Sequence, residues 1–103
     1  MSGSRFASFL AEDRRLVILK LLVEAGGGAS ESVIEKGLRA MGHRVGVDRD
    51  AVRADFTFLV DAGCIEAEWP TDRVQVAAIT RRGVACAEGR IAIDGVAEPS
   101  MGR

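Results

Sequence analysis

The sequence predicts a mainly α-helical domain with one β-hairpin, an α+β fold in the order helix, helix, helix, strand, strand, helix. Three observations predict it. The chain has 103 residues, the length of a single small domain with one hydrophobic core. Twelve glycines divide it into short segments, and the hydrophobic pattern changes from helical to alternating after Gly63. Its 48% of hydrophobic and 28% of charged residues are ordinary for a globular domain.

Three helices fill the first part of the chain. Residues 6–25 are rich in strong helix formers and end at three consecutive glycines. The second helix, residues 30–41, begins at Ser30, and the third, residues 49–62, follows Asp48; both residue types are good N-caps. The connector between these two helices is short and contains glycine. Residues 1–5 are predicted to be a flexible N-terminus.

A hairpin and a short helix follow. Residues 64–69 and 74–79 alternate in polarity and predict two strands, with residues 70–73 as their turn. Thr80 is a good cap for a helix over residues 81–87, which Gly89 closes. Residues 6–89 are therefore the predicted domain. Residues 90–103 have too little apolar periodicity for an element and are predicted to be a partly ordered C-terminal tail.

This order of elements is that of a winged helix-turn-helix domain, in which the third helix enters the major groove and the hairpin lies along the neighbouring backbone. Residues 36–53 contain five basic and two acidic residues, a local charge of +3 in a chain whose net charge is −1. The sequence therefore predicts a regulator that binds double-stranded DNA. The candidate DNA-binding residues lie in the connector, on the outward face of the third helix and at the hairpin tip: Arg44, Arg49, Arg53, Thr57 and Arg73.

The third helix also carries a contrary charge. Residues 48–61 contain two arginines and four aspartates, and the resulting charge of −2 opposes binding to phosphates. The alternative is a winged-helix module for protein–protein interaction or assembly that does not bind DNA. Five acidic residues favour it, because they place negative charge where DNA readers prefer none: Asp50, Asp55, Asp61, Glu66 and Glu68. Trp69 leaves two options open, stacking on a base or partner, or closing the hairpin over the core.

The first helix predicts self-association. Seven apolar residues between positions 16 and 23 surround it almost completely, whereas a surface helix of a monomer needs only one apolar stripe. One face should therefore pack on the core and another on a second copy of the chain, which gives a homodimer. The predicted interface residues are Leu16, Leu19, Leu22 and Val23.

The sequence contains no motif typical of a metal site, an enzyme or a membrane protein. Cys64, Cys86 and His43 show no paired spacing of metal ligands, so we expect no metal; the cysteines are interpreted as small buried hydrophobes and His43 as a local hydrogen-bonding residue. No phosphate-binding glycine loop or catalytic arrangement indicates an enzyme or a cofactor. The longest apolar run, residues 16–23, is too short for a membrane span, and the N-terminus lacks the pattern of a signal peptide, so a cytoplasmic protein is expected.

Most of the chain also resembles a small family of proteins encoded by Mu-like phages and prophages. The residues that carry the resemblance keep a common order and spacing: 12–22, 42–45, 50–56, Leu59, Gly63, 79–83, 95–96 and Pro99. Members of this family are often described as winged helix-turn-helix regulators of the ArsR type. The resemblance therefore implies this fold, and it implies no particular activity.

Overall fold

The computed structural model describes residues 4–99, which form four helices and three strands. In chain order they are α1 Ser4–Glu24, β1 Gly28–Ser30, α2 Glu31–Ala40, α3 Arg49–Asp61, β2 Ile65–Thr71, β3 Val74–Ile79 and α4 Arg81–Ala87. The predicted α+β class and the order of its elements are confirmed, with one strand more than expected. Residues 1–3 of the predicted flexible N-terminus lie outside the described residues, while Ser4 and Arg5 already belong to α1.

The three predicted N-caps are confirmed. The backbone N–H of Val33 donates to Ser30 Oγ at the start of α2. At the start of α3, the N–H of Ala51 donates to the Asp48 carboxylate over 2.8 Å, and Thr80 caps α4 in the same way. Each cap satisfies a backbone N–H that the first helical turn leaves without a partner. These three helices therefore begin directly after their capping residues.

The strands form an antiparallel sheet in the order β1-β3-β2. The strand β1 was not predicted, because it has three residues, begins at the last glycine of the run and shows no periodicity; it exists through its pairing with β3. The hairpin turn is also shorter than expected. β2 continues through Pro70 to Thr71 with an irregular register after Glu68, so the turn is Asp72 and Arg73 alone. Proline fits there because β2 is an edge strand.

The assignment of Leu16, Leu19 and Leu22 to a dimer interface was wrong. All three are buried in the core of the single chain, whereas Val23 is exposed. The physical reason is that α1 is a central element: it contacts α2, α3, α4 and the sheet of its own chain, so its apolar circumference is largely covered without a partner. No helix within residues 4–99 combines the length and hydropathy needed to cross a membrane.

Residues 90–99 contain no helix or strand, as predicted, but they are packed on the domain. Val96 is buried, and Ile91, Ile93 and Ala97 pack against the core. The N–H of Ala97 donates to the carbonyl of Glu12 in α1 over 3.0 Å. The packed unit therefore extends beyond residue 89, where the domain was predicted to end, and residues 100–103 of the predicted tail lie outside the described residues.

Candidate nucleic-acid interface

The outward arginines of α3 are bound to the glutamates of α2. Glu31 is fully buried, and Arg53 donates to it from two nitrogens, Nε to Oε1 and Nη2 to Oε2, both over 2.8 Å. Such paired, charge-assisted bonds satisfy a carboxylate that has been removed from water. The bond from Arg53 also lowers the pKa of Glu31 below its usual 4.5, so this carboxylate is ionised at neutral pH.

Arg49 lies one helical turn before Arg53 and binds mainly to Glu35, the second glutamate of α2. Its Nε donates to Glu35 Oε1 over 3.1 Å, and its Nη1 reaches Glu31 Oε2 at 3.4 Å. Arg39 donates to the other oxygen of Glu35 over 3.1 Å. The bond from Arg49 is the main cause of a lowered pKa for Glu35. We refer to Glu31, Glu35, Arg39, Arg49 and Arg53 together as the α2–α3 ion cluster.

The guanidinium of Arg53 also connects α3 to the hairpin. Its Nη2 donates to the backbone carbonyl of Arg73 over 3.2 Å, and its central carbon lies 4.9 Å from the centre of the Trp69 ring. The half-exposed Trp69 therefore stacks on an arginine and does not close the hairpin over the core. Within residues 4–99, Arg53 Nη1 and Arg49 Nη2 make no hydrogen bond, and these two side chains keep 36% and 41% of their surface exposed.

The other predicted DNA-binding residues lie at different distances from the cluster. Thr57 is exposed one turn after Arg53 and donates its hydroxyl hydrogen to the carbonyl of Arg53 over 3.1 Å. The side chain of Arg73 is exposed at the hairpin turn. Arg44 is exposed in the connector, where it lines a groove with Phe6 and does not join the cluster. The structure therefore brings together Arg49, Arg53 and the backbone of Arg73.

Sequence reasoning missed the role of Glu31 and Glu35. They lie just before the segment whose charge of +3 supported DNA binding, and counting them reduces the excess to +1 over residues 31–53. A signal was present, because two glutamates four residues apart in one helix precede two arginines four residues apart in the next. Such matching pairs on consecutive helices predict ion pairs between them if the helices face each other.

A second charged site lies on the other side of α3. Asp55 was expected to add negative charge to the surface, but it is buried and accepts hydrogen bonds from Arg14 and Arg15 of α1. Arg15 also donates to the carbonyl of Gly95 over 2.8 Å and lies 3.9 Å from the centre of the Phe58 ring. We refer to this group as the Asp55 clamp. Its aspartate is neutralised internally and therefore gives no argument against DNA binding.

The interpretations of His43 and the cysteines are confirmed. His43 Nε2 donates to Asp13 Oδ2 over 2.9 Å, which joins the connector to α1. Cys64 and Cys86 are buried free thiols, and burial raises the pKa of both. They therefore stay protonated at neutral pH and pack as apolar side chains.

The chain is similar to a bacterial protein and to a phage protein, while no family model and no solved structure matches it. An uncharacterized protein of Haemophilus influenzae is 40% identical over 81 residues, which cover 79% of this chain and 78% of that protein. The uncharacterized protein gp26 of Escherichia phage Mu is 39% identical over 90 residues, or 87% of this chain and 91% of gp26. These matches span nearly the whole domain and confirm the expected phage relationship. The chain therefore belongs to the Mu-like phage family that includes gp26.

Proposed function

We propose that this chain binds double-stranded DNA as a phage or prophage regulator, chiefly through backbone phosphates. The observation that carries the proposal is the convergence of Arg49, Arg53 and the hairpin tip at one surface, with both guanidinium groups anchored on glutamates and still partly exposed. An anchored arginine loses less conformational freedom when it meets a phosphate than a free one does. The exposed Trp69 beside Arg53 extends the same surface.

The remaining hydrogen-bond donors favour phosphate over base contacts. A bidentate contact to guanine needs two neighbouring nitrogens of one guanidinium. Arg53 donates from Nε and Nη2 to Glu31 and from Nη2 also to the Arg73 carbonyl, so within residues 4–99 only its Nη1 is uncommitted, whereas Arg49 keeps Nη2 and one hydrogen of Nη1. The single uncommitted nitrogen of Arg53 can donate to a phosphate oxygen but cannot form that fork. We therefore expect weak sequence discrimination by Arg53 and strong salt dependence.

The test is binding of the full chain to a labelled mixed-sequence duplex, followed by fluorescence anisotropy over a salt series from about 50 to about 200 mM. Arg73→Ala and Arg44→Ala should each weaken binding and reduce the salt slope by about 1, because each removes one phosphate contact. Arg90→Ala is the matched control, since Arg90 is exposed after α4 and, within residues 4–99, pairs only with the nearby Glu88. No binding at low salt, or equal effects of all three changes, would refute the proposal.

Glu31→Gln tests the role of the cluster in the opposite direction. It removes the negative charge that holds Arg53 and replaces one of the two acceptor oxygens by an NH2 group, so at least one bond from Arg53 is lost and its donor becomes available to DNA. Affinity should rise roughly 2- to 5-fold, with a salt slope steeper by about 1. Glu88→Gln makes the same charge change at an exposed residue far along the chain and controls for net charge. If both variants gain equally, the cluster does not regulate binding.

A second candidate is the interaction or assembly module that does not bind DNA. The specific observation in its favour is that Glu31 and Glu35 already engage Arg49 and Arg53, which leaves an excess of only +1 over residues 31–53. Glu66 and Glu68 are exposed on the edge strand beside this surface. A folded chain that shows no DNA binding at low salt would favour this second candidate.

A further inference from the structure

The first two turns of α1 expose large apolar side chains. Phe6 and Phe9 are 66% and 62% exposed, and they are neighbours on the helix surface because they lie three residues apart. Phe6 also lines an open groove of about 390 Å³ with Leu10, Met41 and Val45, and Val45 is 83% exposed. Together these residues form an exposed apolar patch at the start of α1. We refer to it as the α1 patch.

Charged residues are placed symmetrically about Phe9. Arg5, Phe9 and Asp13 follow one another at intervals of four residues, so they form a single stripe along α1. Arg5 is exposed and makes no ion pair within residues 4–99. The Asp13 side chain is 44% exposed, and in the described part of the chain only its Oδ2 is engaged, by His43. The charge along the stripe therefore changes from positive through apolar to negative over two helical turns.

This order is complementary to itself when reversed. If two α1 helices pack antiparallel about a two-fold axis at Phe9, Arg5 of each copy lies opposite Asp13 of the other. The contact then contains two ion pairs, one at each end, and the Phe9 rings meet in the middle. In a parallel arrangement Arg5 would face Arg5 and Asp13 would face Asp13, which is unfavourable. The charge pattern therefore selects both the occupant, a second copy of this chain, and its direction.

We propose that this chain forms a homodimer through the α1 patch, with two antiparallel α1 helices centred on Phe9. The proposal replaces the interface predicted from Leu16, Leu19 and Leu22, and it does not depend on DNA binding. The contact rests on a few side chains at one end of α1, so it is small beside the total of about 1,000 Å² that a specific interface buries. We therefore expect a reversible dimer in the micromolar range.

The first test is sedimentation equilibrium of the full chain over a wide range of concentration. The mass should approach twice 11.0 kDa as concentration rises. Phe9→Asp should weaken the dimer at least roughly 10-fold, because it buries a charge at the centre of the contact. Val33→Asp is the matched control: Val33 is exposed on α2, outside the α1 patch, and the same substitution there should leave the dimer unchanged. A monomer at all concentrations, or a dimer that Phe9→Asp leaves intact, overturns the proposal.

The second test uses charge exchange and does not depend on the effect of any one substitution. Arg5→Asp alone places two aspartates opposite each other at both ends, and Asp13→Arg alone places two arginines there. Each variant should therefore dimerise roughly 10-fold more weakly by itself, since each exposed pair is worth up to about 5-fold. In an equimolar mixture, a stripe with two aspartates meets a stripe with two arginines, so opposite charges face each other at both ends. The mixture should therefore form a heterodimer of nearly the original affinity; if mixing restores nothing, the antiparallel pairing is wrong.

Discussion

Two sites in this molecule contain the same kind of ion pair, between a carboxylate and arginines, but have different roles. In the Asp55 clamp and in the α2–α3 ion cluster, a buried carboxylate is held by two arginines. The arginines of the clamp are only 15% and 19% exposed, whereas those of the cluster are 41% and 36% exposed. Phe58 and the carbonyl of Gly95 cover Arg15, while Trp69, itself exposed, lies beside Arg53.

The difference lies in what covers the arginines. A covered pair has no water to replace a lost partner, so it joins elements rigidly and costs much to break. In an open pair the carboxylate is buried but the cations can still face solvent, so they can meet an external anion. The clamp therefore fastens α1 and the C-terminal segment to α3, and the cluster presents charge at the surface.

The largest expected effect is the loss of the clamp's carboxylate. Asp55→Asn leaves two largely buried arginines without a counter-charge and should lower the free energy of unfolding by about 3 kcal/mol or more. Urea unfolding followed by circular dichroism measures it. Asp50→Asn, an exposed aspartate of the same helix, is the control and should change stability by less than about 0.5 kcal/mol. Equal effects of the two substitutions would show that the clamp does not hold α1 to α3.

The second prediction concerns Gly95 and Phe58, which cover Arg15 in the Asp55 clamp. A Cβ on Gly95 would lie 2.2 Å from the Phe58 ring, and the residue has a φ of +90°. Gly95→Ala should therefore displace the C-terminal segment from Arg15 and cost about 1–3 kcal/mol beyond the strain of the backbone. Gly42→Ala is the control, because Gly42 has a φ of +96° with open space around it and suffers the strain alone, about 1–2 kcal/mol. If the two alanine variants unfold at the same urea concentration, the contact with Phe58 is not tight.

The sequence predicts correctly what depends on local chemistry. The caps at Ser30, Asp48 and Thr80 fixed the starts of three helices, because a side chain and a backbone donor three residues away decide them. The strand β1 could not be predicted in this way, since it is defined by pairing with a strand almost fifty residues later. The leucines of α1 show a different limit. Periodicity indicates that a face is covered but not whether the same chain or a second copy covers it.

In the candidate site, too, local features were predicted and contacts between distant segments were not. The spacing of Arg49 and Arg53 on α3 is a local property and was predicted, as were the exposed positions of Arg44 and Arg73. The partners of the two arginines were not predicted, because they depend on how the connector places α2 against α3. Arg39 takes part in that placement by donating to the carbonyl of Val47 over 2.6 Å. The chemistry of the arginines thus follows from an arrangement that no single segment encodes.

The smallest expected effect is the pH dependence of stability that arises from Glu31 in the α2–α3 ion cluster. The pKa of Glu31 is lowered in the folded chain, mainly by the bond from Arg53, so its ionised form stabilises folding at pH values above its unfolded value of about 4.5. That contribution is lost as pH falls below 4.5 and passes through the folded pKa. Comparing wild type with Glu31→Gln by urea unfolding isolates it, because other groups titrate in both proteins. The gap in stability should be largest near neutral pH and shrink steadily in acid.

Glu35→Gln should show the same trend with a smaller amplitude, since Glu35 is partly exposed and its lowered pKa comes mainly from one bond with Arg49. A gap between wild type and Glu31→Gln that stays constant from neutral pH into strong acid would contradict the assignment, because it would mean that the ionised carboxylate is not what Arg53 stabilises. Protonation of Glu31 affects both the stability of the α2–α3 ion cluster and the charge of the exposed surface. Protonating Glu31 releases Arg53 toward solvent, so acid should weaken the join between α2 and α3 while leaving an uncompensated positive charge at the proposed DNA surface.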